Sequence, residues 1–221
     1  MGAAILQLRS ELLARFDVPL GLRKQLINKQ IPTGIVILDE LTQGGIPRGT
    51  LTEICGGESS GRTALTFQIL GQATRRGECC AWIDAAGAFD PVSAAEVGVD
   101  LERVLWVNCG GNAEHGLKAT DLLLQAGGFG LVVMDLADTP EKEARRIPLA
   151  SWFRLRHAAE RTGAALVLVE RQINARSCSA LQLELRRKRA VWIGRLFGGL
   201  AAQAESRKHY QSRTVDFLAV R

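Results

Sequence analysis

A glycine-rich stretch at residues 53–68, EICGGESSGRTALTFQ, has the residue types and spacing of a phosphate-binding loop. It follows the pattern G-x-x-x-x-G-K-[ST], with Gly56, Gly61 and Thr63 in register and Arg62 at the lysine position. In such a loop, backbone N–H groups and the positive end of the following helix bind phosphate oxygens. The candidate nucleotide-binding residues are therefore Gly56, Gly57, Glu58, Ser59, Ser60, Gly61, Arg62 and Thr63.

The arginine at the lysine position changes what this loop can do. A lysine gives the β and γ oxygens a compact point charge, whereas Arg62 keeps the charge on a larger planar fork. Thr63 would supply a hydroxyl to Mg²⁺, and Asp135, at the end of the apolar run LVVMD, would hold the water shell of the metal. We expect ATP and Mg²⁺ to bind weakly, if at all, and hydrolysis to be impaired.

The loop falls between a predicted strand and a predicted helix, as a nucleotide-binding fold requires. Apolar runs predict strands at 50–55, 79–84, 103–108, 131–135 and 165–170, and helical patterns occur at 62–76, 91–97, 113–126 and 143–162. This alternation indicates an α/β fold with a mainly parallel central sheet flanked by helices. Further strands are predicted at 180–187, 190–196 and 214–220, and they would add an antiparallel C-terminal margin.

One domain with an N-terminal extension accounts for the 221 residues. Four apolar residues at helical spacing predict an amphipathic helix over 3–16. They are Ile5, Leu8, Leu12 and Phe16. We expect residues 1–29 to form this helix and a linker, and residues 30–221 to form a single core domain with no separate C-terminal domain. The segment 30–49 is predicted to be a loop that leads into the first core strand.

Composition limits the class of protein. No apolar run reaches the roughly 20 residues of a membrane span, and charges interrupt the apolar pattern of the N-terminus, unlike a signal peptide. A cytoplasmic protein without membrane partners is expected. The five cysteines form no C-x-x-C pair, so structural disulfides and metal sites are not expected. The net charge of +5 permits a polyanionic partner without establishing one.

Several segments resemble the RecA recombinases in order and spacing. EICGGESSGRTALTFQ and AWIDAAGAFDP are similar to the family's GPESSGKTTLTLQ and FIDAEHALDP, and GVDLERVLW, LVVMD and the approach IPTGIVILDELTQGGIPRGTLTEI also match. The resemblance covers about residues 30–185 and is most specific over 31–107. It implies a RecA-like phosphate-loop core.

The departures from the family pattern concern catalysis and base binding. The family's acid that positions the attacking water is replaced by Ala86, which can neither accept a proton nor orient water. The tyrosine that stacks on adenine in the family is replaced by Ser93, although Asp90 of the nucleotide site is kept. Gln172 matches the glutamine that senses the γ-phosphate. The resemblance therefore implies a degenerate nucleotide site with no catalytic acid.

Two loops that grip single-stranded DNA in the family are short here. They are reduced to LADTPEKEARRIP after the LVVMD strand and to INARSCS after Gln172, and neither contains an aromatic residue. Candidate phosphate contacts in and beside them are Arg145, Arg146, Arg171 and Arg176, with solvated surface charge as the alternative. The tryptophans at 82, 106, 152 and 192 lie in strand or helix runs and are predicted to be core residues.

An intact fold with weakened hydrolysis resembles the ImuA branch of RecA relatives, accessories of mutagenic translesion synthesis in the SOS response to DNA damage. That resemblance implies a non-hydrolysing adaptor, associated with the nucleoid, whose partners are an ImuB-like Y-family protein and an error-prone polymerase subunit. RecA-like protomers and single-stranded DNA are further candidate partners. An active ATP-dependent single-stranded-DNA-binding protein is the alternative, kept open by Glu58. A SulA-like inhibitor of cell division is a minor alternative.

Overall fold

A computed structural model describes residues 29–208 and 211–219, together with Gln7, Ser10, Glu11 and Ala14. These four N-terminal residues are helical and exposed, and Gln7 donates a hydrogen bond to Glu11. The apolar residues of the predicted N-terminal helix, at positions 5, 8, 12 and 16, lie outside the described residues. Within the described part, no helix is long and apolar enough to cross a membrane.

An eight-stranded sheet forms the centre of the fold. Its strands are β3 (Thr50–Gly56), β4 (Cys80–Asp84), β5 (Val104–Asn108), β6 (Leu131–Asp135), β7 (Ala165–Glu170), β8 (Leu181–Ile193), β9 (Leu196–Lys208) and β10 (Gln211–Ala219). The spatial order is β10-β9-β8-β3-β7-β6-β4-β5, and the strands from β8 to β5 are parallel. The antiparallel pairs β8–β9 and β9–β10 form the C-terminal margin. The predicted fold class is confirmed.

Helices cover both faces of the sheet. They are α1 (Val36–Thr42), α2 (Arg62–Arg75), α3 (Pro91–Glu96), α4 (Ala113–Ala126), α5 (Glu141–Ala144) and α6 (Leu149–Thr162), with single 3₁₀ turns at Leu101–Arg103 and Arg176–Cys178. Apolar residues of α2 pack on one face, and those of α4 and α6 pack on the other. Because the parallel strands are buried on both sides, their sequences are almost continuously apolar.

Several predicted boundaries differ from the structure. The segment 30–49, predicted as a loop, contains α1 and a small antiparallel pair, β1 (Gln30–Ile31) with β2 (Ile46–Pro47). The helix predicted at 143–162 is divided into α5 and α6, because Pro148 has no N–H to continue a helical ladder and stands at the N-cap of α6.

The C-terminal margin also departs from prediction. The strands predicted at 180–187 and 190–196 are one strand, β8, whose pairing with β9 shifts register between Arg187 and Arg189. Strand β9 was not predicted, because its sequence LFGGLAAQAESRK is rich in alanine and glycine, which have low strand propensity. Among the tryptophans, 82 and 152 are buried as predicted, but the side chains at 106 and 192 are exposed, so the core assignment is wrong for these two.

Candidate nucleotide-binding site

The glycine-rich loop connects the end of β3 to the first turn of α2. Ser59 and Gly61 adopt left-handed backbone conformations, with φ of 54° and 93°. A Cβ atom on Gly56 would lie 2.3 Å from the carbonyl oxygen of Leu185, so only glycine fits the close approach of the loop to β8. The Ser60 hydroxyl is buried and has no hydrogen-bond partner among the described residues. The strand–loop–helix arrangement of a phosphate-binding site is therefore present, and the Ser60 hydroxyl is available to bind a ligand.

The Arg62 side chain is folded under the loop. Only 6% of the residue is exposed, and its Nη1 atom donates to the carbonyl oxygens of Gly56, at 2.5 Å, and Glu170, at 3.1 Å. Burial lowers the pKa of this guanidinium below its ordinary value. The cation thus supports the base of the loop and joins β3 to β7. Both bonds come from one nitrogen of the guanidinium.

The two candidate magnesium ligands differ in exposure. Thr63 is exposed in the first turn of α2, whereas Asp135 is buried at the end of β6. Asp135 accepts a hydrogen bond from the N–H of Ala137 at 2.9 Å, and burial raises its pKa to about 7. Mg²⁺ prefers an ionised carboxylate, and with this pKa a fraction of the Asp135 side chains carries a proton at neutral pH that Mg²⁺ would displace. The residues fit a phosphate better than they fit a tightly held Mg²⁺ ion.

The loop that carries Ala86 is held by Asp84, a buried residue that sequence reasoning did not single out. Its carboxylate accepts hydrogen bonds from the backbone N–H groups of Gly87, Ala88 and Phe89 at 2.7, 2.9 and 2.9 Å. It also accepts one from the Trp106 indole at 3.1 Å. The three backbone bonds hold the loop around position 86, and the indole bond holds the carboxylate itself. Position 86 therefore lacks only the acidic side chain, since the backbone of its loop is held in place.

Asp90 and Ser93 form the start of α3. Asp90 accepts hydrogen bonds from the N–H of Val92 at 3.1 Å and from the Ser93 hydroxyl at 2.5 Å, so it caps this helix. Ser93 has no ring on which a base could stack. The contact that would hold an adenine is reduced to small polar groups.

The candidate DNA-contacting arginines divide into two sets. Arg171 pairs with Glu58 at 3.0 Å and donates to the carbonyl oxygen of Ala137 at 2.9 Å, so it ties the loop after β6 to the phosphate loop. Arg145 donates to Gln172 at 2.6 Å and also pairs with Glu141. Arg146 and Arg176 are exposed, and Arg146 lines a cavity of about 620 Å³ beside the N-terminus of α4. Two of the four side chains are thus engaged within the protein.

The cavity beside the phosphate loop is small, about 250 Å³. It is lined by Ser59, Ser60, Gly61, Arg62, Thr63, Ala64, Leu200 and Ala219. Ligand pockets for drug-sized molecules commonly measure about 300–1,000 Å³. The C-terminal strands approach the loop closely, since a Cβ atom on Gly61 would lie 3.2 Å from that of Ala219. This cavity is large enough for the phosphate groups of a nucleotide, and its base and ribose would lie outside the cavity.

A buried carboxylate, Glu53, anchors the segment that follows β7. Its Oε1 atom accepts from the backbone N–H groups of Asn174 and Ala175 at 2.8 and 2.7 Å. Its Oε2 atom accepts from the Ser179 hydroxyl at 2.6 Å and from the Gln182 amide at 3.0 Å. Sequence reasoning missed this residue, because its partners lie more than a hundred residues away. The segment after β7, which the sequence analysis compares with the second DNA loop of the family, is thus short and tethered.

Glu170 is a second buried acid near Glu53. One carboxyl oxygen is bonded to the Asn174 side chain, and the other has no partner among the described residues. Burial raises its pKa to about 8, with the charge of Glu53 acting in the same direction and the Asn174 bond opposing it. At neutral pH this side chain is therefore mostly protonated.

The raised pKa of Glu170 predicts a pH-dependent stability. Between its ordinary pKa of 4.5 and the folded value of about 8, the folded protein binds a proton that the unfolded chain has released. The free energy of unfolding should therefore fall as pH rises through this range, by at most about 1.4 kcal/mol per pH unit from this group. Glu170→Gln should flatten the dependence in urea unfolding at a series of pH values. The raised pKa of Asp135 also lowers the free energy of unfolding as pH rises to about 7. The Glu170→Gln protein should therefore keep part of the pH dependence.

The exposed substitution Glu102→Gln is the matched control for this experiment. It removes a carboxylate from a solvated position and should leave the pH dependence of the unfolding free energy unchanged. Equal pH dependence in the wild-type and Glu170→Gln proteins would contradict the assignment.

Comparison with known proteins agrees with this geometry. The model of the RecA N-terminal domain matches residues 4–190. Protein RecA of Haemophilus ducreyi is 33% identical over 198 residues, which cover 88% of this chain and 52% of that protein. Protein RecA of Methylococcus capsulatus is 44% identical over 116 residues, covering 51% of this chain and 33% of that protein. The chain thus spans about half or less of the length of these relatives. The phosphate loop, the parallel sheet and these matches together place the chain in the RecA family.

Proposed function

We propose that this protein is a RecA-like accessory of the DNA-damage response, an adaptor in mutagenic translesion synthesis that does not hydrolyse ATP. The observation that carries the proposal is Ala86, which lies on a loop held in place by Asp84. A methyl group stands where the chemistry needs an acid, although the supporting backbone is ordered. The phosphate loop would hold nucleotide weakly, through Ser60 and the backbone, with Thr63 and Asp135 as Mg²⁺ ligands. Bound nucleotide would supply charge and order to the loop.

The state of the two family DNA loops supports an adaptor rather than a strand-exchange protein. Glu53 ties down the segment after β7, and Arg145 and Arg171 bond to groups of the protein itself. The Glu53 tether would restrict the segment after β7 in closing around a DNA strand, and the exposed arginine pairs would add little to this restriction. On this proposal, the core domain of residues 30–221 is used chiefly as a docking surface.

The partners in this proposal are an ImuB-like Y-family protein and an error-prone polymerase subunit. Other RecA-like protomers would be secondary partners. The second candidate function is an active ATP-dependent single-stranded-DNA-binding protein. It is favoured by the retained Glu58, which pairs with Arg171 beside the loop, and by relatives that carry the name Protein RecA.

Partner binding in the presence and absence of nucleotide separates the two functions. The adaptor should bind the purified Y-family partner with an affinity that Mg-ATP changes by less than about threefold, because no hydrolysis-linked rearrangement is available. Isothermal titration with the wild-type protein, with and without Mg-ATP, measures this. Asp135→Asn serves as a control that should leave partner binding unchanged.

The same preparations should be titrated with single-stranded oligonucleotides. Binding should be weak, independent of ATP and steeply dependent on salt. Tight binding at physiological salt that Mg-ATP strengthens, together with no affinity for the polymerase partner, would favour the active recombinase-like function instead.

A further inference from the structure

The cationic side chain of the phosphate loop is engaged within the protein. Arg62 is the one cationic residue in the loop sequence 56–63. Its guanidinium is buried and donates to the carbonyl oxygens of Gly56 and Glu170. These backbone bonds compete with any contact to the β and γ oxygens, which a lysine makes in loops of this pattern. A triphosphate in this site therefore needs a positive charge from another side chain.

A second cation, Arg171, leaves the sheet between the two halves of the candidate site. It directly follows β7, which lies between β3 and β6. Strand β3 leads into the phosphate loop, and β6 ends at Asp135, the candidate magnesium ligand. Because the carboxyl ends of these parallel strands meet at one edge of the sheet, Arg171 stands beside both. Burial lowers the pKa of Arg62, and the charge of Arg171 acts in the same direction, as expected for two neighbouring cations.

Exposed carboxylates hold Arg171 at this position. Its Nη2 atom lies 3.0 Å from the carboxylate of Glu58 in the phosphate loop and 3.7 Å from that of Asp138. Its Nε atom donates to the carbonyl oxygen of Ala137 at 2.9 Å. The side chains of Arg171, Glu58 and Asp138 are 44%, 75% and 53% exposed. Ion pairs this exposed contribute little, because water screens them. A stronger anion can therefore replace Glu58 without a large cost.

We propose that Arg171 is the phosphate-binding cation of this site, and that the terminal phosphate of a nucleoside triphosphate replaces Glu58 as its partner. A terminal phosphate carries more negative charge than a carboxylate and offers three oxygens to the planar donors of a guanidinium. The loop amides would hold the inner phosphates, which leaves the terminal phosphate for a side chain at the rim of the loop. Glu58 is then the group that occupies Arg171 in the empty site.

A clamp that only joins the phosphate loop to the loop after β6 would use the same Glu58–Arg171 contact, but it predicts effects of a different sign. If the pair is a clamp, loss of either partner disturbs the phosphate loop and weakens nucleotide binding. If Glu58 competes with phosphate, loss of Glu58 strengthens binding and loss of Arg171 weakens it. The inference rests on the proposed function only in that the loop binds nucleotide, and it does not depend on the adaptor role.

Titration of the full chain with a fluorescent, non-hydrolysable β,γ-imido analogue of ATP in Mg²⁺, and with the corresponding ADP, tests the inference. Arg171→Ala should weaken binding of the triphosphate by about tenfold or more and that of the diphosphate by less than about threefold. Arg171→Lys should retain part of the triphosphate affinity, because it keeps the charge and loses the fork. Glu58→Gln should strengthen triphosphate binding by about threefold or more.

Arg103→Ala is the matched control. Arg103 also pairs with one carboxylate, that of Asp100 at 3.0 Å, and donates to one backbone carbonyl oxygen, that of Gly77 at 3.2 Å. It precedes β5, at the edge of the sheet opposite the phosphate loop, so its loss should leave both affinities unchanged. Glu58→Gln should give a smaller gain in an Arg171→Ala background than in the wild-type protein, because the competition is absent there. Circular dichroism would show that these substitutions leave the fold intact.

Four results would overturn the inference. They are no binding of the imido analogue by the wild-type protein, an Arg171→Ala loss no larger than that of Arg103→Ala, equal losses for triphosphate and diphosphate, and weaker triphosphate binding in Glu58→Gln. The first of these results would leave the adaptor role standing. Appreciable ATP turnover by the wild-type protein would instead contradict the adaptor proposal and leave the binding role of Arg171 standing, so the two failures are distinguishable.

Discussion

Combining Arg62→Lys with Ala86→Glu should raise ATP turnover above the wild-type level by up to about 10²–10⁴-fold, the contribution of one positioned acid or base. The glutamate would enter a loop whose backbone donates three hydrogen bonds to Asp84. The lysine would restore a point charge for the phosphates, at the expense of the Arg62 bonds to Gly56 and Glu170. A coupled assay of phosphate release at saturating Mg-ATP measures the change.

One single variant and one matched double variant complete this experiment. Arg62→Lys alone should restore little turnover, because it adds no group that orients water. Arg62→Lys with Ala86→Gln places a side chain of the same size without the basic carboxylate and should stay near the wild-type rate. Equal rates in the glutamine and glutamate double variants would show that the gain, if any, does not come from a water-positioning acid.

Glu53→Ala should produce the largest loss of stability, about 3–5 kcal/mol in the free energy of unfolding, because four buried donors lose their acceptor together. The substitution leaves the backbone N–H groups of Asn174 and Ala175 without their acceptor and opens a cavity between β3 and β8. Guanidinium unfolding measures the loss. Hydrogen exchange at Asn174 and Ala175 should also accelerate, because the segment after β7 loses its anchor.

Glu102→Ala is the control for Glu53→Ala, since Glu102 is exposed and its substitution should change the unfolding free energy by no more than about 0.5 kcal/mol. Glu53→Gln keeps an acceptor for the two N–H groups but presents an NH₂ group to Gln182, so its cost should be intermediate. A single ordinary hydrogen bond contributes about 0.5–1.5 kcal/mol. A Glu53→Ala protein whose unfolding free energy lies within about 1 kcal/mol of the wild-type value would therefore contradict the anchoring role.

The parallel core could be predicted from the sequence because its signals are local. Each strand from β3 to β7 is a short apolar run, and the glycine-rich loop has fixed spacing between a strand and a helix. The antiparallel margin was harder to predict from the sequence, because β9 contains glycine and alanine and takes its strand conformation from pairing with β8 and β10. Tertiary pairing overrides weak local propensity there.

The site was only partly predictable, because long-range contacts decide what its side chains do. The pattern around Arg62 indicated a phosphate contact, but its bond to the carbonyl oxygen of Glu170 joins residues 108 positions apart. Glu53 looked like an ordinary strand residue until its partners at 174–182 were in place. Trp192 has the apolar neighbours of a core residue, yet its side chain is 61% exposed, because its strand continues beyond the part of β8 that pairs with β3.

The rate of ATP hydrolysis by the wild-type protein, with and without single-stranded DNA, tests the central claim most directly. Asp135→Asn provides the reference for background, because it removes the candidate metal-holding carboxylate. The account predicts that the wild-type rate lies near background, that DNA does not stimulate it, and that Asp135→Asn leaves it unchanged. A substantial rate that DNA stimulates and Asp135→Asn abolishes would show that the nucleotide site is a working ATPase and would contradict the account.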